Sequence, residues 1–290
     1  MKVVLYNITS CDLDEIVARI GYSSISLFPP EEIKLNKNII NEFFKTSVKY
    51  RLGSILDFHH YIFTFYDVSR AFTHQLVRHR IAAYVQQSLR RVKIKTELDE
   101  DPWFIIPPSI LSKGAKVIIK YIEKQLESGR VYLDLLGKNV PPEDARFVLP
   151  IGVKTFITAI MNAEELLHVL KVRTCFDAQW EIRIAFYALM AGLVALTPSI
   201  FKYAGPYCVY DGLCRGLSNG VCIREARELT RKIKKIGLQI REKLEKNSLT
   251  ISLTDILGYK VPEEVKKEVQ EYFGKKINLD YEVILEIRRC

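Results

Sequence analysis

No apolar run in this chain of 290 residues reaches the roughly twenty needed to cross a bilayer. The opening Met1-Lys2-Val3-Val4-Leu5-Tyr6-Asn7 lacks the apolar core and cleavage site of a secretory leader, so the expectation is a cytoplasmic protein. Cysteine is sparse: six, at positions 11, 175, 208, 214, 222 and 290, with no pair at CxxC spacing, which argues against a zinc ribbon. In a reducing cytosol such cysteines default to free, mostly buried thiols. Plentiful lysine and glutamate hint at a thermophile, where cytosolic disulfides do form. Carboxylates are not clustered as a metal site requires. His59 and His60 are neighbours on what reads as a strand edge and would point to opposite faces, so no metal is expected. There is no internal repeat, no low-complexity tract and no recognisable RNA- or DNA-binding motif.

What is present suits a globular chain with anionic partners. Apolar residues make up 48%, ample for a core, and the formal charge is +9 with pI ≈ 9.1. Residues 2–7 read as a strand. Asp12 to Arg19 read as a helix capped by Ser10 or Asp12, with Leu13, Ile16, Val17 and Ile20 on one face and a break at Gly21-Tyr22-Ser23-Ser24. A helix is expected over 31–50, a strand at 61–65, and a helix from a Ser69 cap to about His79. The chain should then turn through 81–87 and form a strand over 88–96. Helical patterns follow at 109–138, after Pro141-Pro142, around 162–173, and from Ala178 to about Leu196. Residues 205–222 form a glycine- and cysteine-rich loop. Its three cysteines lack a fourth ligand nearby, which favours one disulfide or free thiols over a metal. A charged helix spans Ile223 to Lys246, and two short apolar–charged segments close the chain.

One stretch stands apart. Arg78-His79-Arg80-Ile81-Ala82-Ala83-Tyr84-Val85-Gln86-Gln87-Ser88-Leu89-Arg90-Arg91 holds four arginines and a histidine and no acid. Cations this close repel one another unless an anion lies between them, and the interleaved residues are apolar, aromatic, amide or hydroxyl. Arginine forks grip phosphate oxygens, while amides and a hydroxyl read polar edges. Taken bare, the stretch also fits a basic surface segment that binds nothing in particular, or RNA non-specifically.

Arg-His-Arg, seven residues, then Ser resembles the signature of the flavin-dependent thymidylate synthases. The lead-in Ser69-Arg70-Ala71-Phe72-Thr73-His74-Gln75-Leu76-Val77 is similar to that family, and so are Ala145-Arg146-Phe147-Val148-Leu149-Pro150, Asn162 to Arg173, and Ala178-Gln179-Trp180-Glu181-Ile182. The resemblance covers about residues 1–208, with 209–290 left as a cysteine-containing loop and a charged, helical extension. It implies an α+β fold: a mostly antiparallel central sheet flanked by helices, assembled as a homotetramer with sites between subunits. It implies reductive methylation of dUMP to dTMP, with methylenetetrahydrofolate as carbon donor and FAD reduced by NADPH.

Residue by residue, the resemblance places dUMP on Gln75, Arg78, Gln86, Gln87, Ser88, Arg90, Arg146 and Arg173, with Arg173 stabilising charge on the pyrimidine. It places FAD on Ser54, Arg78, His79, Arg80, Gln86, Asn162 and His168. The chain departs from the family at 53–60, where the histidine after Gly53 is absent. It departs again at Glu164, often Arg in the family, and at Arg91, usually aromatic. Without the resemblance, Arg146 reads as a helix-surface residue, Arg173 as a partner for Asp177, and His168 as a buried core histidine. A non-catalytic or altered-specificity paralogue that keeps a nucleotide, and a basic nucleic-acid-binding protein, are the rival functions.

Overall fold

The computed structural model describes residues 1–7, 13–50, 53–217, 220–244 and 248–289. The cap candidates Ser10 and Asp12, together with Cys11 and Cys290, lie outside the described residues. Six strands form one sheet: β1 (Lys2–Asn7), β2 (His60–Ser69), β3 (Ala82–Gln86), β4 (Lys154–Asn162), β5 (Leu249–Ser252) and β6 (Ile284–Arg289), in the order β3-β4-β2-β1-β6-β5. Among the described residues β1 and β6 pair in parallel and the other strand pairs are antiparallel. The fold is thus the mixed, mostly antiparallel sheet expected.

The helices in chain order are α1 (Leu13–Ser23), α2 (Lys37–Tyr50), α3 (Gly53–Leu56), α4 (Arg70–Leu76), α5 (Pro108–Leu111), α6 (Ala115–Gly137) and α7 (Pro142–Ala145). They continue with α8 (Ala163–Arg173), α9 (Trp180–Leu196), α10 (Pro198–Phe201), α11 (Tyr207–Tyr210), α12 (Ile223–Lys243), α13 (Thr254–Leu257) and α14 (Glu263–Phe273). Among the described residues no helix is long and apolar enough to cross a membrane.

The core explains why α9 is apolar all round. It is buried from Ala185 to Ala195, with the sheet on one side and α12 on the other. Gly237 lets α12 approach closely, because a Cβ there would stand 2.7 Å from the Ala191 carbonyl and 2.8 Å from Val194. On β2, Tyr61, Phe63 and Phe65 alternate inward, and Phe65 meets Phe72 of α4 edge-on at 5.0 Å. A second apolar cluster joins α6 to α14 through Ile118, Ile122, Val269 and Leu279.

Several expectations change. The segment 81–87, read as a turn, contains strand β3, and 88–96, read as a strand, is irregular. Leu89 and Val92 are three apart, so they cannot share a strand face; Leu89 is buried, Val92 is exposed, and the backbone turns at Ser88. Strand β4 adds an element where none is expected, and Thr155, Ile157, Ala159 and Met161 alternate inward along it. Helix α1 runs on through Gly21, which packs against Phe43. Its buried face is Val17, Ala18 and Gly21, and Ile16 faces outward. The helix expected over 31–50 begins at Lys37, after a 3₁₀ turn at Pro30–Glu32. Segment 209–290 was read as an extension beyond the family-like region, yet it supplies β5 and β6 to the same sheet and lays α12 on α9.

Candidate active site

The site begins with the cap of α4. Ser69 Oγ accepts from the Phe72 amide at 3.0 Å, and the Ser69 amide and hydroxyl both donate to the carboxylate of Glu181, the amide at 2.7 Å. Glu181 is fully buried at the start of α9, and burial pushes its carboxyl above the ordinary range in spite of those bonds. One carboxylate thus fixes α4 to the core helix. The end of α4 is fixed by β3: the Tyr84 hydroxyl lies 2.7 Å from the His79 carbonyl and 3.0 Å from that of Leu76. Burial, followed by the nearby Glu165 charge, pushes the Tyr84 phenol up to about 12, so it stays a neutral donor.

His79 is 8% exposed. Its Nε2 accepts from Arg173 Nε at 2.8 Å, and its Nδ1 faces Glu165 Oε1 at 3.6 Å. An Nε2 that accepts a hydrogen bond requires a neutral ring with its proton on Nδ1, the side facing the carboxylate. Arg173, at the last position of α8, also donates from Nη2 to the Gln75 carbonyl at 3.1 Å. Burial lowers its pKa, but a guanidinium remains cationic at any working pH. The His168 ring lies 6.2 Å from His79, and its side chain is exposed, not the buried histidine that bare periodicity suggests.

A second cluster surrounds the other end of the basic stretch. Arg70 Nη2 donates to the Gln87 carbonyl at 2.7 Å, Arg90 Nε pairs with Glu143 at 2.9 Å, and Arg146 Nε donates to the Glu143 carbonyl at 3.0 Å. Arg70 Nε is buried without a partner, and burial, then the nearby Arg146, lowers the Arg70 pKa. Ser88 Oγ is exposed and accepts from the Arg90 amide at 3.3 Å. Gln86 bridges toward α4, donating to Thr73 Oγ1 at 2.9 Å.

Not every expected residue joins these clusters. Asn162 caps α8 by accepting from the Glu165 amide at 2.8 Å and donates to Asp57 at 2.7 Å. Ser54 is exposed on α3, which stands beside the first turn of α8, where Gly53 faces Glu164. From Glu164 to Arg173 the helix rises about 13 Å, so Ser54 and Arg173 mark opposite ends of α8. Arg78 and Arg80 face solvent without an ion pair among the described residues, and the Gln75 amide turns back to Ala71 at 3.3 Å. His59, 1% exposed, bonds Asp14 at 3.0 Å, while His60 is exposed, the two opposite faces expected.

Sequence reasoning missed Glu165, Tyr84, Arg70 and Glu181 as positioning groups. A near-fully buried Glu165, 7% exposed, was the missed signal: a charged residue flanked by Leu166 and Leu167 needs a partner when folded.

The family described as thymidylate synthase complementing protein matches residues 2–199. The flavin-dependent thymidylate synthase of Pyrococcus furiosus is 34% identical over 241 residues, covering 80% of this chain and 98% of that protein. That of Sulfolobus acidocaldarius is 39% identical over 178 residues, covering 61% of this chain and 66% of that protein. The fold is also that of the UMP/dUMP methylase PolB from Streptomyces cacaoi, with a TM-score of 0.59 at 18% identity over 69% of this chain and 93% of PolB. Two-thirds of the chain, including every residue of both clusters, lies inside the matched region, and the chain belongs to the flavin-dependent thymidylate synthase family.

Proposed function

We propose that this chain converts dUMP to dTMP in the cytoplasm, taking the carbon from methylenetetrahydrofolate, with FAD as cofactor and NADPH as reductant. The observation that carries the reading is Arg173, a half-buried guanidinium aimed by His79 and the Gln75 carbonyl. The residues present fit the groups. A buried Arg70 Nε without a partner, beside Arg146, is a donor that a phosphate oxygen would satisfy, which supports a nucleotide phosphate near Arg70, Arg90 and Arg146. Arg78, Arg80 and His168, with exposed Val77 and Ile81 alongside, combine the cations and apolar surface that a flavin dinucleotide needs.

Bound FAD supplies the hydride. The protein does the rest by charge and position. Carbon 5 of a pyrimidine is a poor nucleophile until negative charge on the ring is stabilised. Arg173 would hold that charge without giving up its proton, and needs no reorganisation because His79 already orients it. Glu165, whose Oε1 stands 3.6 Å from His79 Nδ1, would favour the tautomer that leaves Nε2 free to accept from Arg173. Ser88 binds rather than attacks: no histidine or lysine base lies in bonding contact with it among the described residues.

The direct test is release of tritium from dUMP labelled at carbon 5, dependent on both methylenetetrahydrofolate and NADPH. The protein is expected to purify yellow or to take up one FAD per chain. A colourless chain that binds no flavin in titration would point to the non-catalytic paralogue.

Nucleotide binding should weaken with salt yet stay selective for a uridine monophosphate, since several arginines share one phosphate while amides and a hydroxyl read the rest. Arg70→Ala should lower dUMP affinity by about tenfold or more, the value of a lost charge-assisted bond. Equal affinity for random oligonucleotides in calorimetry would favour the nucleic-acid rival instead.

A homotetramer is part of the proposal. Strand β3 is a sheet edge with a free side, and Ile81, Val85, Phe147 and Ile151 stand exposed around the site. Light scattering at micromolar concentration should give about four times the 33.5 kDa chain mass; a monomer mass would rule this out.

A further inference from the structure

Four cysteines, none of them given a role in the reaction, meet around one cavity. Cys175 lies two residues past Arg173, Cys208 is on α11, Cys214 is in the loop after it, and Cys222 is the residue before α12. All four line a cavity of ≈ 280 Å³, together with Arg173, Arg215 and Tyr207. Gly216 shows how closely they gather. A Cβ on it would stand 3.5 Å from Cys175 Sγ, and its carbonyl is 4.0 Å from Cys214 Sγ. A Cβ on Gly220, two residues before Cys222, would stand 3.7 Å from the Cys214 Cβ.

The loop carrying Cys214 is held by polar and cation–π contacts rather than by a core of its own: Arg215 pairs with Asp211 at 3.9 Å and lies 4.4 Å over the Tyr207 ring. Its apolar side chains point outward: Leu217 is 95% exposed and Val221 88%, and Leu213 is exposed as well. A metal centre shared by the cysteines would add a staple that apolar burial does not supply there. The arrangement also suits thiolates electrostatically. Arg173 and Arg215 border the cavity, and Arg183 is close enough to feel Cys175 and Cys222.

We propose that Cys175, Cys208, Cys214 and Cys222 form a tetrathiolate site for a thiophilic metal centre, a zinc-type ion or an iron–sulfur cluster, that ties the loop at 205–222 to the end of α8. Cys175, Cys208 and Cys214 are thiols in the structure, not paired by disulfides. Among the described residues no group of three or more His, Cys, Asp or Glu side chains already converges tightly enough to grip an ion. Loading a single ion therefore requires the thiols to rotate inward, whereas a cluster keeps its ligand sulfurs farther apart and fills more of the cavity. Sequence spacing hid the site because the fourth ligand, Cys175, is 33 positions before Cys208. The proposal is independent of the reaction assigned above.

The test is metal and acid-labile sulfide analysis of the full chain purified without oxygen, followed by cobalt(II) addition to the reduced protein. A zinc-type site is expected to hold about one zinc per chain without sulfide, or to develop the intense thiolate-to-cobalt absorption of a tetrahedral sulfur site. A cluster is expected to bring about four irons and four sulfides per chain. In either case Cys214→Ser, in the loop, should abolish the signal while circular dichroism and flavin uptake stay unchanged, and Cys175→Ser should do the same. A chain that is metal-free as isolated and gives no cobalt–thiolate band overturns the proposal. So does metal that survives both substitutions, or mass spectrometry showing these cysteines joined as native disulfides.

Discussion

Arg173→Ala is expected to lower dTMP formation by about 10²–10³, the typical cost of one aimed donor, while reduction of the flavin by NADPH continues. The donor is aimed because two acceptors fix it: His79 Nε2 at 2.8 Å and the Gln75 carbonyl at 3.1 Å. Arg173→Lys keeps the charge but cannot satisfy both acceptors with a planar fork, so most of the loss should fall on turnover and little on flavin binding. The alanine variant should also weaken dUMP binding, because the proposed role sets the cation against the pyrimidine. The competing explanation is that Arg173 only braces α4 against α8. In that case Arg173→Ala lowers the melting temperature and leaves turnover per folded molecule unchanged. Stopped-flow flavin reduction, tritium release and a melting curve on the same preparation separate the two. Near-parental thymidylate formation would withdraw the role given to Arg173, though not the family.

The second large effect is one of stability. Glu181→Ala should destabilise the fold by about 3 kcal/mol, because the Ser69 amide and hydroxyl lose a charged acceptor in a fully buried place. For a chain of this size that corresponds to a melting temperature lower by about 5 °C. Turnover should fall too, since Ser69 starts the helix that leads to Gln75 and His79. Glu181→Gln, which keeps one acceptor oxygen, should lose less. The pH dependence carries a sign that can be checked. Burial raises the folded-state pKa of Glu181 above its unfolded value. Its protonation therefore favours the folded state: the contribution is full below the unfolded pKa and is lost as pH rises through the folded one. The stability of the parent relative to Glu181→Gln should increase on acidification. A difference that is flat with pH, or Glu181→Ala melting at the parental temperature, would show that Ser69 finds other partners.

Three departures from the family pattern acquire structural settings here. Glu164 faces Gly53 at the start of α8, about 13 Å along the helix from Arg173, so its charge acts on the α3 side of the site. The segment after Gly53 forms the short α3, and His59 is spent on Asp14 and Phe44 in the core. Arg91 is exposed just past the turn at Ser88. None of them touches the His79–Arg173 pair, and this argues for retained chemistry over the paralogue reading.

What the sequence determined by itself was local chemistry. Ser69 read as a cap because its short hydroxyl can reach a free helix amide, and it caps α4. The apolar length of 182–196 required burial, and α9 is buried. The arginine-rich stretch at 78–91 required an anion, since nothing in its own sequence neutralises it. The tertiary structure decided everything that depends on partners distant in sequence. Strand β3 is only five residues long and begins with two alanines, and it is a strand because β4 offers it a ladder. Residues 284–289 belong to the sheet because β1 has a free edge beside β2. The pairing of His79 with Arg173 joins residues 94 apart, and the four cysteines come from α11, the connection after it and the loop after α8. Spacing along a chain fixes neighbours only within a few residues, through helix and strand periodicity. Which side chains meet across the core is settled by packing, which local sequence does not encode.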